Sequence, residues 1–300
     1  MKFYIAVDCE GPACVVGEPG KGLGSGENYR FACLQATREA NAAARALFDA
    51  GAQEVVVWDA HGTGVNLQYD LLDPRCRILL GSGHRGRFAG MDKSYTAVLF
   101  IGYHARENTS RAVLAHTFCS TAFQYYKLDG KEAGELAIDA AYAGELGVPV
   151  LFCAGDDACV AEARALFPGL AAVVTKEALS WTSALSRHPQ AVCDDIYRTV
   201  RAAVPGAGTL VPYRMPGPLS VEIAPPSPTG TAILSLSRTL SRDPESWTAS
   251  PPCFKHRDML SFFVFKLYVT TKAAENRQMP PVLRCFFFYV CDALYRLFRW

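Results

Sequence analysis

The feature that most constrains this chain is a recurrence through its first half: short β-branched or aromatic runs, each followed by a longer Ala-rich or amphipathic stretch. Such alternation is the pattern of strands crossing over through helices into a mostly parallel sheet. Residues 2–7 read as the first strand, 29–50 as a helix closed by Gly51, and 54–58 as the second strand. Residues 97–101 and 148–153 are nearly all apolar, as expected of strands covered on both faces, and Pro149 is tolerable near the start of its strand. Asp129-Gly130, between strand-like 125–128 and 131–133, predicts a two-residue hairpin because both turn positions need positive φ. A helix over 134–146 follows.

The expected fold is therefore α/β, a mostly parallel central sheet with flanking helices and a second, smaller α+β part. Residues 1–155 form the α/β portion, and 156–300 the second region, with helices over 157–166 and 190–204. Beyond Pro205, a Pro/Gly-rich stretch surrounds one strand over 219–223. Aromatic runs at 262–269 and 285–290 make the carboxy-terminal tail atypical; it could serve as core, oligomer contact or surface-seeking segment.

Composition excludes several functions. The 300 residues carry 30 Lys+Arg against 29 Asp+Glu, a net charge of +1 without a basic run, which argues against nucleic acid as the partner. No apolar stretch approaches the roughly 18 residues a membrane span needs. The five apolar residues between Lys2 and Asp8 are too few for a secretory signal. Eleven cysteines without a C-x-x-C pair suit reduced thiols, so a soluble, cytoplasmic protein is expected. There is no G-x-S-x-G, and residues 17–26 lack the spacing of a phosphate cradle.

Metal-capable side chains fall where predicted strands end, the place where ligands gather in open α/β sheets. Asp8 and Glu10 are two apart at the end of strand one, so their carboxylates point to the same side in extended backbone. His61 follows the second strand and His104 the third. Together these nitrogen and oxygen donors suit zinc. Glu135 opens the helix after the hairpin, where it either favours the positive helix terminus or supplies a third carboxylate. His116 lies in an uncharged stretch; His84, His188 and His256 have weaker claims. Asp156-Asp157 reads as a helix N-cap, and Asp59 either supports His61 or organises its loop.

In order along the chain stand Val7-Asp8-Cys9-Glu10-Gly11, Asp59-Ala60-His61, Gly102-Tyr103-His104-Ala105, Ala115-His116 and Gly134-Glu135-Leu136. This series resembles the D-aminopeptidase family of zinc peptidases, over about residues 1–240. The resemblance implies two zinc ions per subunit: Asp8 bridges them, Glu10 and His61 complete one site, and His104 and Glu135 the other. His116 is then the nearby catalytic residue that is not a ligand, acting as acid/base or oxyanion stabiliser. Only the Gly-Glu-Leu match favours Glu135 over nearby Glu132. The implied activity is removal of an N-terminal D-residue, D-alanine especially, from short peptides, within a homo-oligomeric ring of ten subunits. Two Zn²⁺ against three carboxylates leave one positive charge for a bound hydroxide, which can exist near neutral pH because coordination lowers the pKa of water to about 7. Two other readings use the same ligands: a two-metal phosphoester hydrolase, for which no dense Arg/Lys cluster is seen, and a non-catalytic zinc-binding assembly scaffold.

Overall fold

The computed structural model describes residues 1–24, 26–84, 86–120, 124–215, 219–224, 234–238 and 266–269. The alternation in the sequence becomes β1 (Lys2–Val7), α1 (Glu27–Asp49), β2 (Glu54–Asp59), β3 (Arg77–Leu79) and β4 (Ala97–Tyr103). After these come the hairpin β5 (Tyr125–Leu128) and β6 (Lys131–Glu132), then α2 (Glu135–Glu145), β7 (Val150–Gly155), α3 (Asp157–Leu166) and β8 (Ala171–Val174). A second hairpin, β9 (Lys176–Ser180) and β10 (Ser183–Ser186), leads into α4 (Pro189–Ala203); β11 (Leu219–Ala224), β12 (Leu234–Arg238) and β13 (Lys266–Val269) follow.

Six strands form one parallel sheet in the order β3-β2-β1-β4-β7-β8. The chain winds outward from β1 in one direction, returns to pair β4 with β1, and winds outward in the other. The switch point, where successive loops leave in opposite directions and open a crevice, thus lies between the ends of β1 and β4. Period-2 alternation divides β1 between two cores. Phe3, Ile5 and Val7 pack towards α1 and α4, while Tyr4 and Ala6 pack with Leu136, Ala140 and Ala143 of α2 and Cys159 and Ala163 of α3. The buried face of α1 is mostly alanine, including Ala32, Ala36, Ala40, Ala43 and Ala44, so this helix can approach the sheet closely.

The α/β class and the parallel sheet agree with the sequence reading. The division expected after residue 155 falls inside the sheet, between β7 and β8. The cause is local: Asp156 caps α3 by accepting from Cys159 N at 2.8 Å, and this helix returns the chain to the sheet edge. Strand β4 runs two residues beyond the expected 101, because its end still pairs with β7 through Tyr103 and Gly155. The hairpin turn has φ of 50° at Asp129 and 75° at Gly130. Strand β5 also pairs with β11 in a separate antiparallel sheet, β13-β12-β11-β5-β6. Of the aromatic runs expected in the tail, 262–265 and 285–290 lie outside the described residues. Among the described residues, no helix is long and apolar enough to cross a membrane.

Candidate metal centre

Two glycines interlock the ends of β1 and β4. Gly102 adopts φ +71°, and a Cβ there would lie 2.2 Å from the Asp8 carbonyl oxygen. A Cβ on Gly11 would lie 2.0 Å from the Tyr103 carbonyl oxygen. Without these side chains the two exits close up, with Asp8 N donating to Ile101 O and Gly11 N to Gly102 O, both at 2.8 Å. Asp8 and His104 consequently meet although 96 positions separate their numbers.

All six residues singled out from the sequence come together here. Asp8 lies between two imidazoles: its Oδ1 is 2.9 Å from His61 Nδ1 and its Oδ2 is 3.5 Å from His104 Nε2. Glu10 Oε2 is 3.2 Å from the same His61 nitrogen, so Asp8 and Glu10 do share one partner. Across the cluster, Glu135 Oε1 is 3.4 Å from His104 Nε2 and 3.8 Å from His116 Nε2. The His104 and His116 rings stack, with centroids 4.1 Å apart and planes 10° from parallel. Two sets of donors are each compact enough for one ion, their atoms lying within 4.8 Å of one another: Asp8, Glu10 and His104, and His104, His116 and Glu135. Glu132 instead pairs with Arg106.

Protonation tests whether a cation fits. His104 Nδ1 is 2.9 Å from the Ala105 carbonyl oxygen, which can only accept, so Nδ1 carries the hydrogen. In the neutral ring Nε2 is then a bare lone pair, buried without a hydrogen-bond partner and facing carboxylate oxygens. Lone pairs converging in a water-poor pocket repel unless a proton or a metal ion lies among them. The electrostatics have the same sign. Burial alone would raise the pKa of Glu10, but neighbouring His61 takes its carboxyl far below the usual range. Glu135 is lowered against its own burial by His104. Both His61 and His104, which burial alone would lower, are lifted well above the ordinary imidazole value by the facing carboxylates. The donor set, three carboxylates and imidazole nitrogen, matches zinc.

The supports are less legible in sequence. Asp59 does not bond His61; it accepts from Asn66 N at 2.6 Å, Leu67 N at 2.9 Å and Tyr69 OH at 3.0 Å, and so shapes the loop. Asn66 Nδ2 then donates to the His61 carbonyl at 2.6 Å. Lys176 is fully buried and donates from Nζ to the carbonyls of Glu10, Pro12 and Val15 at 2.6, 2.8 and 2.7 Å. Thr175 Oγ1 donates to Gly11 O at 2.6 Å, so two residues just past β8 grip the loop that carries Glu10. Sequence reasoning missed this pair; its one signal was a lysine directly behind a β-branched run, where a strand would end. The loop bearing His116 has left-handed backbone at Asn108, Arg111, Leu114 and Phe118, and Trp181 pins it by donating from Nε1 to Ala115 O at 3.2 Å. Elsewhere, His84 Nδ1 contacts the Gly86 carbonyl and His188 caps α4, while His256 lies outside the described residues.

An open, doubly wound sheet with carboxylates and imidazoles gathered at its switch point defines an α/β protein whose donor set suits a divalent metal. The chain belongs to the D-aminopeptidase family of peptidases, whose model matches residues 1–250. It is 34% identical over 181 residues to a D-aminopeptidase of Bacillus subtilis (strain 168), a match covering 60% of this chain and 65% of that protein. The chain therefore spans slightly under two thirds of the length of that curated relative. Among solved structures it is similar to the Zn-dependent D-aminopeptidase DppA from Bacillus subtilis, described as a self-compartmentalizing protease. That likeness has a TM-score of 0.69 and 28% identity, over 76% of this chain and 82% of the other.

Proposed function

We propose that this chain is a zinc-dependent aminopeptidase that hydrolyses the peptide bond after an N-terminal D-residue, in short peptides of the D-alanine type. The observation that carries the reading is the buried His104 Nε2, which makes no hydrogen bond yet lies 3.5 Å from an Asp8 carboxylate oxygen and 3.4 Å from one of Glu135. Zinc held there supplies a Lewis acid and a means of ionising water near neutral pH. In this reading Asp8 would serve both halves of a two-ion site, with Glu10 and His61 completing one and His104 and Glu135 the other; the turn of one Asp8 oxygen towards each imidazole supports it.

His116 is the more open of the stacked imidazoles, with 16% of its side chain exposed against 2% for His104, so it is the one placed to face substrate. Its Nδ1 lies 2.7 Å from the Leu114 carbonyl and therefore carries the hydrogen, leaving Nε2 as a lone pair towards the cluster. That atom would take a proton from the attacking water and pass it to the departing amine; as a lone pair it does not donate to an oxyanion. Homo-oligomeric assembly belongs to the same reading, supported by the self-compartmentalizing description of the similar structure.

The test uses the full chain with added Zn²⁺. Alanine should be released from D-Ala-D-Ala and not from L-Ala-L-Ala. Cleavage of neither with zinc bound would sink the peptidase reading in favour of a scaffold, and hydrolysis of an aryl phosphate instead would replace it with a phosphoesterase.

A further inference from the structure

We propose that Asp139, held by Arg87 and Tyr103, is a positioning residue for the His104 and Glu135 half of the centre. The inference rests on the reading that these residues hold zinc. Asp139 lies on α2 one turn beyond Glu135, so the two carboxylates leave the same face of the helix. It is fully buried, and its Oδ2 accepts from Tyr103 OH and from Arg87 Nη2, both at 2.6 Å. Arg87 Nε also approaches its Oδ1. Tyr103 ends β4 and is the chain neighbour of His104. One carboxylate thereby ties the strand that presents His104 to the helix that presents Glu135.

A second path reaches the same ligand. The Arg87 guanidinium lies over the rings of Trp58 and Phe118, 4.8 and 5.4 Å from their centroids. Phe118 in turn donates its backbone N–H to Glu135 Oε1 at 2.7 Å. A buried ion pair is weak evidence for stability alone, since apolar side chains of similar volume often replace one at little cost. Here the network ends on the cluster twice, through Tyr103, the chain neighbour of His104, and through Phe118, which bonds Glu135, and outer partners of this kind set ligand orientation and metal affinity.

Zinc binding to the full chain is measured by equilibrium dialysis with elemental analysis, and visible absorption of the cobalt(II)-substituted protein reports the ligand geometry. The unaltered chain should bind two ions. Asp139→Asn should keep one and bind the other about 10–100-fold more weakly, with a changed cobalt spectrum and an unchanged far-ultraviolet circular dichroism spectrum. Tyr103→Phe, which removes one hydroxyl and leaves the ion pair, should weaken the same ion several-fold and decides the matter if Asp139→Asn does not fold. Val200→Ala, in the core on the other face of the sheet, should lower stability and leave both affinities alone. Two ions bound with undiminished affinity by Asp139→Asn and Tyr103→Phe would overturn the positioning role and leave the zinc reading standing. An unaltered chain that binds no zinc would overturn both.

Discussion

Replacing Lys176 by methionine tests how the loop bearing Glu10 is held. The ammonium meets three carbonyl oxygens at 2.6–2.8 Å, and the side chain is fully buried. Methionine fills a similar volume and leaves those acceptors without their donor. A buried group left unsatisfied costs about 1–3 kcal/mol; Pro12 O still accepts from Val15 N, so Glu10 O and Val15 O together amount to about 2–6 kcal/mol. Against this stands the several kcal/mol of ammonium desolvation that the variant no longer incurs. The net expectation is a loss of about 1–3 kcal/mol, read from urea denaturation of the full chain with unchanged dependence on denaturant. Because one of the three carbonyls belongs to Glu10, zinc affinity should fall as well. Arginine should not rescue the variant, since a planar guanidinium cannot meet three acceptors arranged around one nitrogen. A Lys176→Met chain within about 1 kcal/mol of the original, with unaltered zinc affinity, would refute the reasoning.

His116→Ala should retain zinc and lose about 10²–10⁴-fold in kcat, measured by alanine release from the D,D-dipeptide; loss of zinc would make this residue a ligand. Burial pushes the pKa of Glu39 up to about 7, partly offset by hydrogen bonds from Ala13 N and Gln35. The native state therefore holds a proton that the unfolded chain has lost, and stability falls by about 3 kcal/mol as pH rises from about 4.5 to about 7. Glu39→Gln should remove that slope in chemical denaturation at several pH values. Gly102→Ala combines a left-handed φ with a Cβ 2.2 Å from Asp8 O, and should cost at least about 2 kcal/mol together with zinc binding, measured by thermal unfolding with and without metal.

What could be read from sequence follows from how locally each feature is determined. Strands β1, β2 and β4 are apolar runs ended by a polar residue or glycine, so Asp8, His61 and His104 were identifiable as strand-end side chains. That β1 and β4 are neighbours is a non-local fact, settled by two glycines and by both faces of the sheet being covered. Asp59 stood equally for two roles in sequence, and only the positions of Asn66, Leu67 and Tyr69 decide for the loop. Lys176 and Asp139 resemble ordinary surface charges when read along the chain. Their partners are remote in sequence, and burial that depends on tertiary packing leaves no periodic mark.

The most direct measurement is an anomalous difference map at the zinc absorption edge from crystals of the zinc-loaded chain. Two peaks are expected, both in contact with Asp8, one also bounded by Glu10 and His61 and the other by His104 and Glu135. Peaks elsewhere in the molecule, or none within reach of Asp8, would contradict the account.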